Sequence, residues 1–217
     1  MIGIILLGAP GSGKGVLANF LKNKYNLEYI STGSIFRNIS NSNNEFSFLI
    51  KKYIDNGKLV PDEITIKILE DNILKNNCAN GYIIDGFPRT IVQAQAFENM
   101  IKKNNLKIDF IINISIDSNL LINRIINRRI CNKCNISYNI LTMPPKKDNV
   151  CDICNEKLIQ RSDDVKEVFN KRLKNYYRYA DSLIEFYKKS SYLFINLDGS
   201  MGNKNFDFIS KIIDNCN

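Results

Sequence analysis

Three groups of residues in this chain have types and spacings that can do chemistry. The first is Gly8-Ala9-Pro10-Gly11-Ser12-Gly13-Lys14-Gly15-Val16, which fits the phosphate-loop pattern G-x-x-x-x-G-K. Glycines let successive backbone N–H groups turn inward as an anion nest, and a following helix N-terminus adds partial positive charge. Lys14 would reach the outer phosphates. The pattern expects Ser or Thr after the lysine, but Gly15 and Val16 follow, so no hydroxyl is offered to Mg²⁺ there. The second group is Asp85, which ends the apolar run Tyr82-Ile83-Ile84 and opens Gly86-Phe87-Pro88-Arg89-Thr90. A carboxylate at the end of a buried strand beside a phosphate loop is where such sites hold Mg²⁺; the other reading is a capping or turn aspartate. The third is Cys131-x2-Cys134-x16-Cys151-x2-Cys154, close to zinc-ribbon spacing. Four thiolates close a tetrahedral coordination sphere, so the expected site is structural. Zinc is the expected ion, although four thiolates also suit iron or cobalt. Few large apolar residues lie in this segment, and the metal would replace a core. Cys78 and Cys216 are left over and read as inert.

Composition narrows the chemistry. The formal charge is +8, which points to an anionic partner, either nucleic acid or a phosphorylated small molecule. There is no histidine, so neither an imidazole base nor an imidazole ligand is available. Cysteines in C-x-x-C pairs suggest metal binding in a reducing compartment rather than disulfides. No leader pattern precedes the first apolar run, and no run is long enough for a membrane span. The expectation is a soluble, cytoplasmic protein with no membrane partner.

These residues need a scaffold. Five apolar runs read as strands: Ile2–Leu7, Tyr29–Ser31, Tyr82–Asp85, Phe110–Ile116 and Tyr192–Leu197. Helical patterns alternate with them. One follows the loop, with Val16, Leu17, Phe20 and Leu21 on one side. Another carries Ile35, Phe36 and Arg37 and is capped by Thr32. Ser40–Asn44 reads as a turn and Phe46–Ile54 as a helix. Lys58–Asp62 is a break, after which Asp62 starts a helix with Ile64, Ile68, Leu69 and Ile73 at helical spacing. Gln93–Lys103 is helical. Ser118–Arg129 is expected to be one helix, with Leu120, Leu121, Ile125 and Ile126 inward and Arg124 and Arg128 one turn apart. Asp163–Lys189 is expected to be a long amphipathic helix holding Arg172, with Arg161 just before it, and Phe206–Ile213 closes the chain. The alternation predicts an α/β fold with a five-stranded parallel sheet flanked by helices. Residues 1–30, 61–126 and 165–217 would form the core, and 31–60 and 127–164 two inserts.

Taken together, the motifs resemble the adenylate kinase family, of the long type with a zinc-bearing lid. The matching segments are GAPGSGKG at Gly8–Gly15, Ser31-Thr32-Gly33 with Arg37, Lys58-Leu59-Val60 before Asp62-Glu63, DGFPRT at Asp85–Thr90 with Gln93, Arg124-x3-Arg128-Arg129, and Arg161-x-Asp163-Asp164 before Lys171-Arg172-Leu173. They run in order over essentially the whole chain.

The resemblance implies ATP + AMP ⇌ 2 ADP with Mg²⁺, a structural Zn²⁺ and a monomer. It implies ATP contacts from Gly11, Ser12, Gly13, Lys14, Gly15, Val16, Arg124, Arg128, Ser137, Tyr138 and Met201. It implies AMP contacts from Thr32, Arg37, Lys58, Leu59, Val60, Gly86, Phe87, Arg89, Gln93, Arg161 and Arg172, with Gln93 reading the adenine edge. Lys14, Asp85, Arg89, Arg128, Arg161 and Arg172 would carry catalysis, 31–60 would be the AMP-side flap and 127–164 the lid. Val16 stands where the family usually has Thr, Ser34 where it has Asp, Met201 where a lysine is common, and Asn139 where a His often follows the lid tyrosine. A GTP donor or a pyrimidine acceptor is the near alternative. A nucleic-acid-binding zinc-ribbon protein is the remote one, opposed by the modest basic character of Asn135–Val150 and its lack of a stacking series. Nucleic acid is therefore not an expected partner.

Overall fold

The structure is a computed structural model and describes residues 1–43, 45–75 and 78–216. Asn44, the end of the turn expected from Ser40, lies outside the described residues. Five strands form one sheet: β1 (Ile2–Gly8), β2 (Glu28–Ser31), β3 (Gly81–Asp85), β4 (Phe110–Ser115) and β7 (Leu193–Asp198). Their order is β2-β3-β1-β4-β7 and every pairing is parallel. The expected sheet is therefore present.

Strand β1 shows why its residues form a buried strand rather than a half-wet one. Ile4 and Leu6 pack on one face with Leu17, Ala18 and Leu21 of α1 (Lys14–Tyr25) and Ile209 and Ile213 of α8 (Lys204–Cys216). Ile5 and Leu7 pack on the other with Leu69 and Ile73 of α4 (Asp62–Lys75), Phe97 and Ile101 of α5 (Ile91–Lys103), and Leu183 and Tyr187 of α7 (Lys166–Lys188). Both faces are covered, so the run is continuously apolar. Each fully buried isoleucine or leucine contributes about 1.5–3 kcal/mol.

Parallel strands bring their C-terminal ends to one edge. The register sets Ser31 beside Asp85, Asp85 beside Leu6, and Ser115 beside Asp198. Chemistry-bearing residues collect along that edge, as open parallel sheets require.

Several sequence expectations are corrected. The helix expected over Ser118–Arg129 stops at Ile126 (α6, Ser118–Ile126). Asn127 ends it, its N–H donating to the carbonyls of Asn123 and Ile125. Arg128–Ile130 then forms β5, antiparallel to β6 (Ser137–Asn139). Arg124 and Arg128 thus lie on different elements rather than one helical turn apart. Leu121 and Ile125 are buried, but Leu120 and Ile126 are exposed. The long helix starts at Lys166, not Asp163, because Asp163 and Asp164 are held by arginines before it, and Val165 is exposed. The cap of α2 (Thr32–Ser40) is Ser31, whose Oγ accepts from the Ser34 N–H, not Thr32. Helix α3 (Ser47–Asp55) follows it.

Candidate active site

A cleft of about 640 Å³ opens at the C-terminal edge of the sheet. Its floor is the loop between β1 and α1. Gly13 precedes α1 with φ 107°, a left-handed conformation that favours glycine, and a Cβ there would meet nothing within 4 Å. The loop therefore presents backbone N–H groups and the start of a helix to open space. Ser12 Oγ is buried in the same loop without a hydrogen-bond partner. Lys14 Nζ donates to the carbonyls of Gly8 (2.7 Å) and Ala9 (2.9 Å).

Charge is the cleft's main feature. Lys14, Arg37, Arg89, Arg124, Arg128, Arg161 and Arg172 line it, with Asp85 as the one acidic lining residue among those described. Burial pulls the Lys14 ammonium down to about 8, against the opposing pull of Asp85, and Arg89, Arg172 and Arg128 add to the depression. Burial likewise brings Arg37 to about 10 and Arg172 to about 9; Arg161 adds to both, while Asp163 opposes. Burial is the chief cause of these shifts and neighbouring cations add to it, so the charged forms are less favoured than in water, a cost that a bound anion would offset.

Two buried aspartates hold part of the array. Asp164 accepts from Nε and Nη2 of Arg128. Asp163 accepts from Arg161 and, at 2.6 Å, from Arg172 Nη1. Burial alone would raise the Asp163 carboxyl, but Arg161 and Arg172 together hold it well below the usual carboxylate range. At the other wall, Asp85 Oδ2 accepts from the Tyr29 hydroxyl at 2.9 Å. Burial and Asp85 both push the Tyr29 hydroxyl far up, so it remains a donor. A smaller pocket of about 60 Å³ adjoins, lined by Arg37, Lys58, Leu59, Val60, Gly86, Arg89 and Gln93 among others.

The four cysteines of the 127–164 segment come together. Their sulfurs all lie within 4.8 Å of one another, with Cys131 and Cys154 at 3.5 Å. A tetrahedral zinc–thiolate site with Zn–S near 2.3 Å has sulfur–sulfur edges of about 3.8 Å. The donors therefore fit such an ion. The N–H of Cys134 donates to Cys131 Sγ at 3.3 Å, the kind of bond that stabilises thiolate.

The family model for adenylate kinase matches residues 6–192. The chain is 45% identical over 190 residues to an adenylate kinase of Acetivibrio thermocellus, covering 88% of each chain. It is 43% identical over 212 residues to one of Clostridium tetani, covering 97% of each. It is 42% identical over 192 residues to one of Caldicellulosiruptor bescii, covering 88% and 89% respectively. The chain belongs to the adenylate kinase family.

Within this family member, most residues expected at the site from sequence meet around the two pockets. Gly11, Ser12, Gly13, Lys14, Gly15, Val16, Arg124, Ser137 and Tyr138 line the large cleft together with Asp85 and Gly86. Three lie elsewhere. The Phe87 side chain is fully buried in the core, edge-on to Phe97. Thr32 is buried and donates to the Asp85 carbonyl at 3.2 Å. Met201 is exposed, while its neighbours Gly199, Ser200 and Gly202 line the cleft. Gln93 is buried with its amide engaged: Oε1 accepts from the Arg89 N–H at 2.7 Å, and Nε2 donates to Asp62 Oδ1 at 2.6 Å. Gly86 has φ 83°, and a Cβ there would stand 2.7 Å from Thr32 Oγ1, so glycine is required where β3 leaves the sheet.

The sequence analysis assigns no site role to Tyr29, Asp62, Asp163 or Asp164. Asp163 and Asp164 were signalled by their place beside Arg161. Tyr29 carried no signal, since its partner Asp85 is 56 positions away. Among the described residues, no helix is long and apolar enough to cross a membrane.

Proposed function

We propose that this protein transfers the terminal phosphoryl group of ATP to AMP, giving two ADP, with Mg²⁺ accompanying the donor. The observation that carries the reading is the cleft of about 640 Å³ that brings the phosphate loop, with Lys14, together with six arginines. In the forward direction an α-phosphate oxygen of AMP bonds to the γ-phosphorus of ATP. The bond from that phosphorus to the β,γ-bridging oxygen breaks, and ADP leaves with the electron pair. The attacking oxygen is already anionic, so no base is needed, in accord with a chain that has no histidine. The protein's work is positioning and charge stabilisation.

Roles follow from place. The loop N–H groups and Lys14 would hold the donor phosphates. Arg37 and Arg89, which line both pockets, would hold the acceptor phosphate. Arg128, Arg161 and Arg172 would surround the transferred group, and Arg124, whose Nη2 donates to the Gly199 carbonyl at 3.0 Å, would flank the donor base. Guanidiniums suit this work because they are planar, bidentate and charged at neutral pH. Mg²⁺, when bound, would neutralise charge on the donor phosphates. Asp85 is the carboxylate placed to order its water shell, since Val16 brings no hydroxyl. Gln93 would meet the acceptor base by exchanging one of its two internal bonds.

Segment 31–60 is proposed as the AMP-side flap and 127–164 as a lid that closes over both nucleotides and excludes water. Its four thiolates would hold a structural Zn²⁺, and such a cluster suits a reducing, cytoplasmic setting. A monomer completes the reading. A coupled assay across AMP, GMP, UMP and CMP, with ATP and GTP as donors, tests it. AMP with ATP is expected to give the highest kcat/KM; preference for a pyrimidine acceptor overturns the assignment.

A further inference from the structure

One polar contact in the cleft is left unused by the reading above. Tyr29 lies on β2, paired opposite Ile83. Its ring packs against the apolar cluster under α1, and its hydroxyl reaches the cleft. There it donates to Asp85 Oδ2 at 2.9 Å. The same hydroxyl lies 3.4 Å from the point where a Cβ on Gly15 would stand. One phenolic oxygen thus meets both walls of the donor-phosphate space: the first turn of α1 and the carboxylate that ends β3. Val16, in that same first turn, offers no oxygen of its own.

We infer that Tyr29 is a positioning residue for the cation that accompanies the donor nucleotide. By bonding one carboxylate oxygen it fixes the plane of Asp85 and directs Oδ1 to the cation's water shell. By abutting Gly15 it sets the gap between α1 and β3. A carboxylate free to rotate orders water less well, and groups that orient such a carboxylate matter to metal affinity for that reason. The bond that the hydroxyl makes in the cleft is to Asp85, so Tyr29 is assigned an action through that carboxylate. This inference rests on the proposed role of Asp85.

The test uses the full chain and the variants Tyr29→Phe, Asp85→Asn and both together. Phe keeps the ring packing and removes only the hydroxyl. The probe is Mn²⁺ added to the protein–ATP complex and followed by electron paramagnetic resonance. Mg²⁺ dependence of turnover and calorimetric binding of metal-free ATP are measured alongside. Tyr29→Phe is expected to weaken Mn²⁺ binding about 3–10-fold, as loss of a hydrogen bond to a charged group allows. Metal-free ATP binding and the KM for AMP should stay within about twofold, a margin small beside the 1.4 kcal/mol of a tenfold change. In the Asp85→Asn background the same substitution should add nothing. Equal losses in both backgrounds, or a Tyr29→Phe protein that binds Mn²⁺ like the parent while Asp85→Asn does not, overturn the inference. If Asp85→Asn itself leaves Mn²⁺ binding unchanged, the role proposed for Asp85 fails, and the inference falls with it.

Discussion

The two segments that leave the sheet edge are held together by different physics. Residues 31–60 form helices. Ile50 of α3 is fully buried, Ile35 of α2 packs onto the main core, and Ser47 Oγ ties the two helices by donating to the carbonyls of Ile39 and Ser42. Residues 127–164 hold two three-residue strands and a cluster built from Cys131, Tyr138, Cys151 and Leu158, with Cys134 and Cys154 beside it. Leu141 and Ile153 are left 70% exposed, so apolar burial in this segment is small. A segment that borrows from the main core can use ordinary side chains. One that stands off from it needs a cross-link, and four convergent thiols are the means present here.

The comparison can be broken most sharply at the cysteines. Structural zinc in small thiolate sites contributes about 10–16 kcal/mol of folding free energy. Chelation, or Cys151→Ser, should therefore abolish amide protection over Ile130–Ile159 while β1, β3 and β4 keep theirs. Hydrogen exchange read by mass spectrometry checks this. Unchanged protection in the cysteine segment would remove the contrast between the two segments.

Asp163, where the second segment rejoins the core, should show the next largest effect. Replacing it with Asn leaves Arg161 and Arg172 buried without their counter-charge, and breaking a buried pair in this way costs about 3–5 kcal/mol. Because its carboxyl is held below the usual range in the folded protein, the stability it gives is present above roughly pH 4, the unfolded value, and is lost as pH falls below that. Urea unfolding followed by circular dichroism should show a steep acid loss in the parent and a flatter one in Asp163→Asn. Identical acid profiles would mean that the pair does not contribute.

The smallest effect is expected in the helical segment. Ile50→Ala removes a fully buried side chain and should cost about 2–5 kcal/mol locally. Exchange should rise in α2 and α3, with the cysteine segment untouched. A rise in both segments would show that they are one cooperative unit.

Much of this is legible in the sequence. The β1–loop–α1 unit is readable because its signal is local: an apolar run, glycines and a lysine all between Ile2 and Lys14. The four cysteines were readable because metal ligation imposes spacing. Helix ends are less legible. Arg128 and Arg129 have types that suit a helix, and only pairing with Asn139 and Tyr138 draws them into a strand. Asp163 and Asp164 could have continued a helix, and only the arginines facing them decide otherwise.

The sequence by itself determined the parallel sheet, the phosphate loop, the cysteine cluster and the family, because each rests on local pattern or on ordered motifs. Tertiary structure alone decided which charges face one another. That seven cations from separate elements share one cleft, that two aspartates restrain three arginines, and that Tyr29 holds Asp85 all depend on contacts between distant positions. Coulomb and hydrogen-bond energies depend on distance in space, and the order of residues along a chain does not encode that distance until the sheet brings its strand ends to one edge.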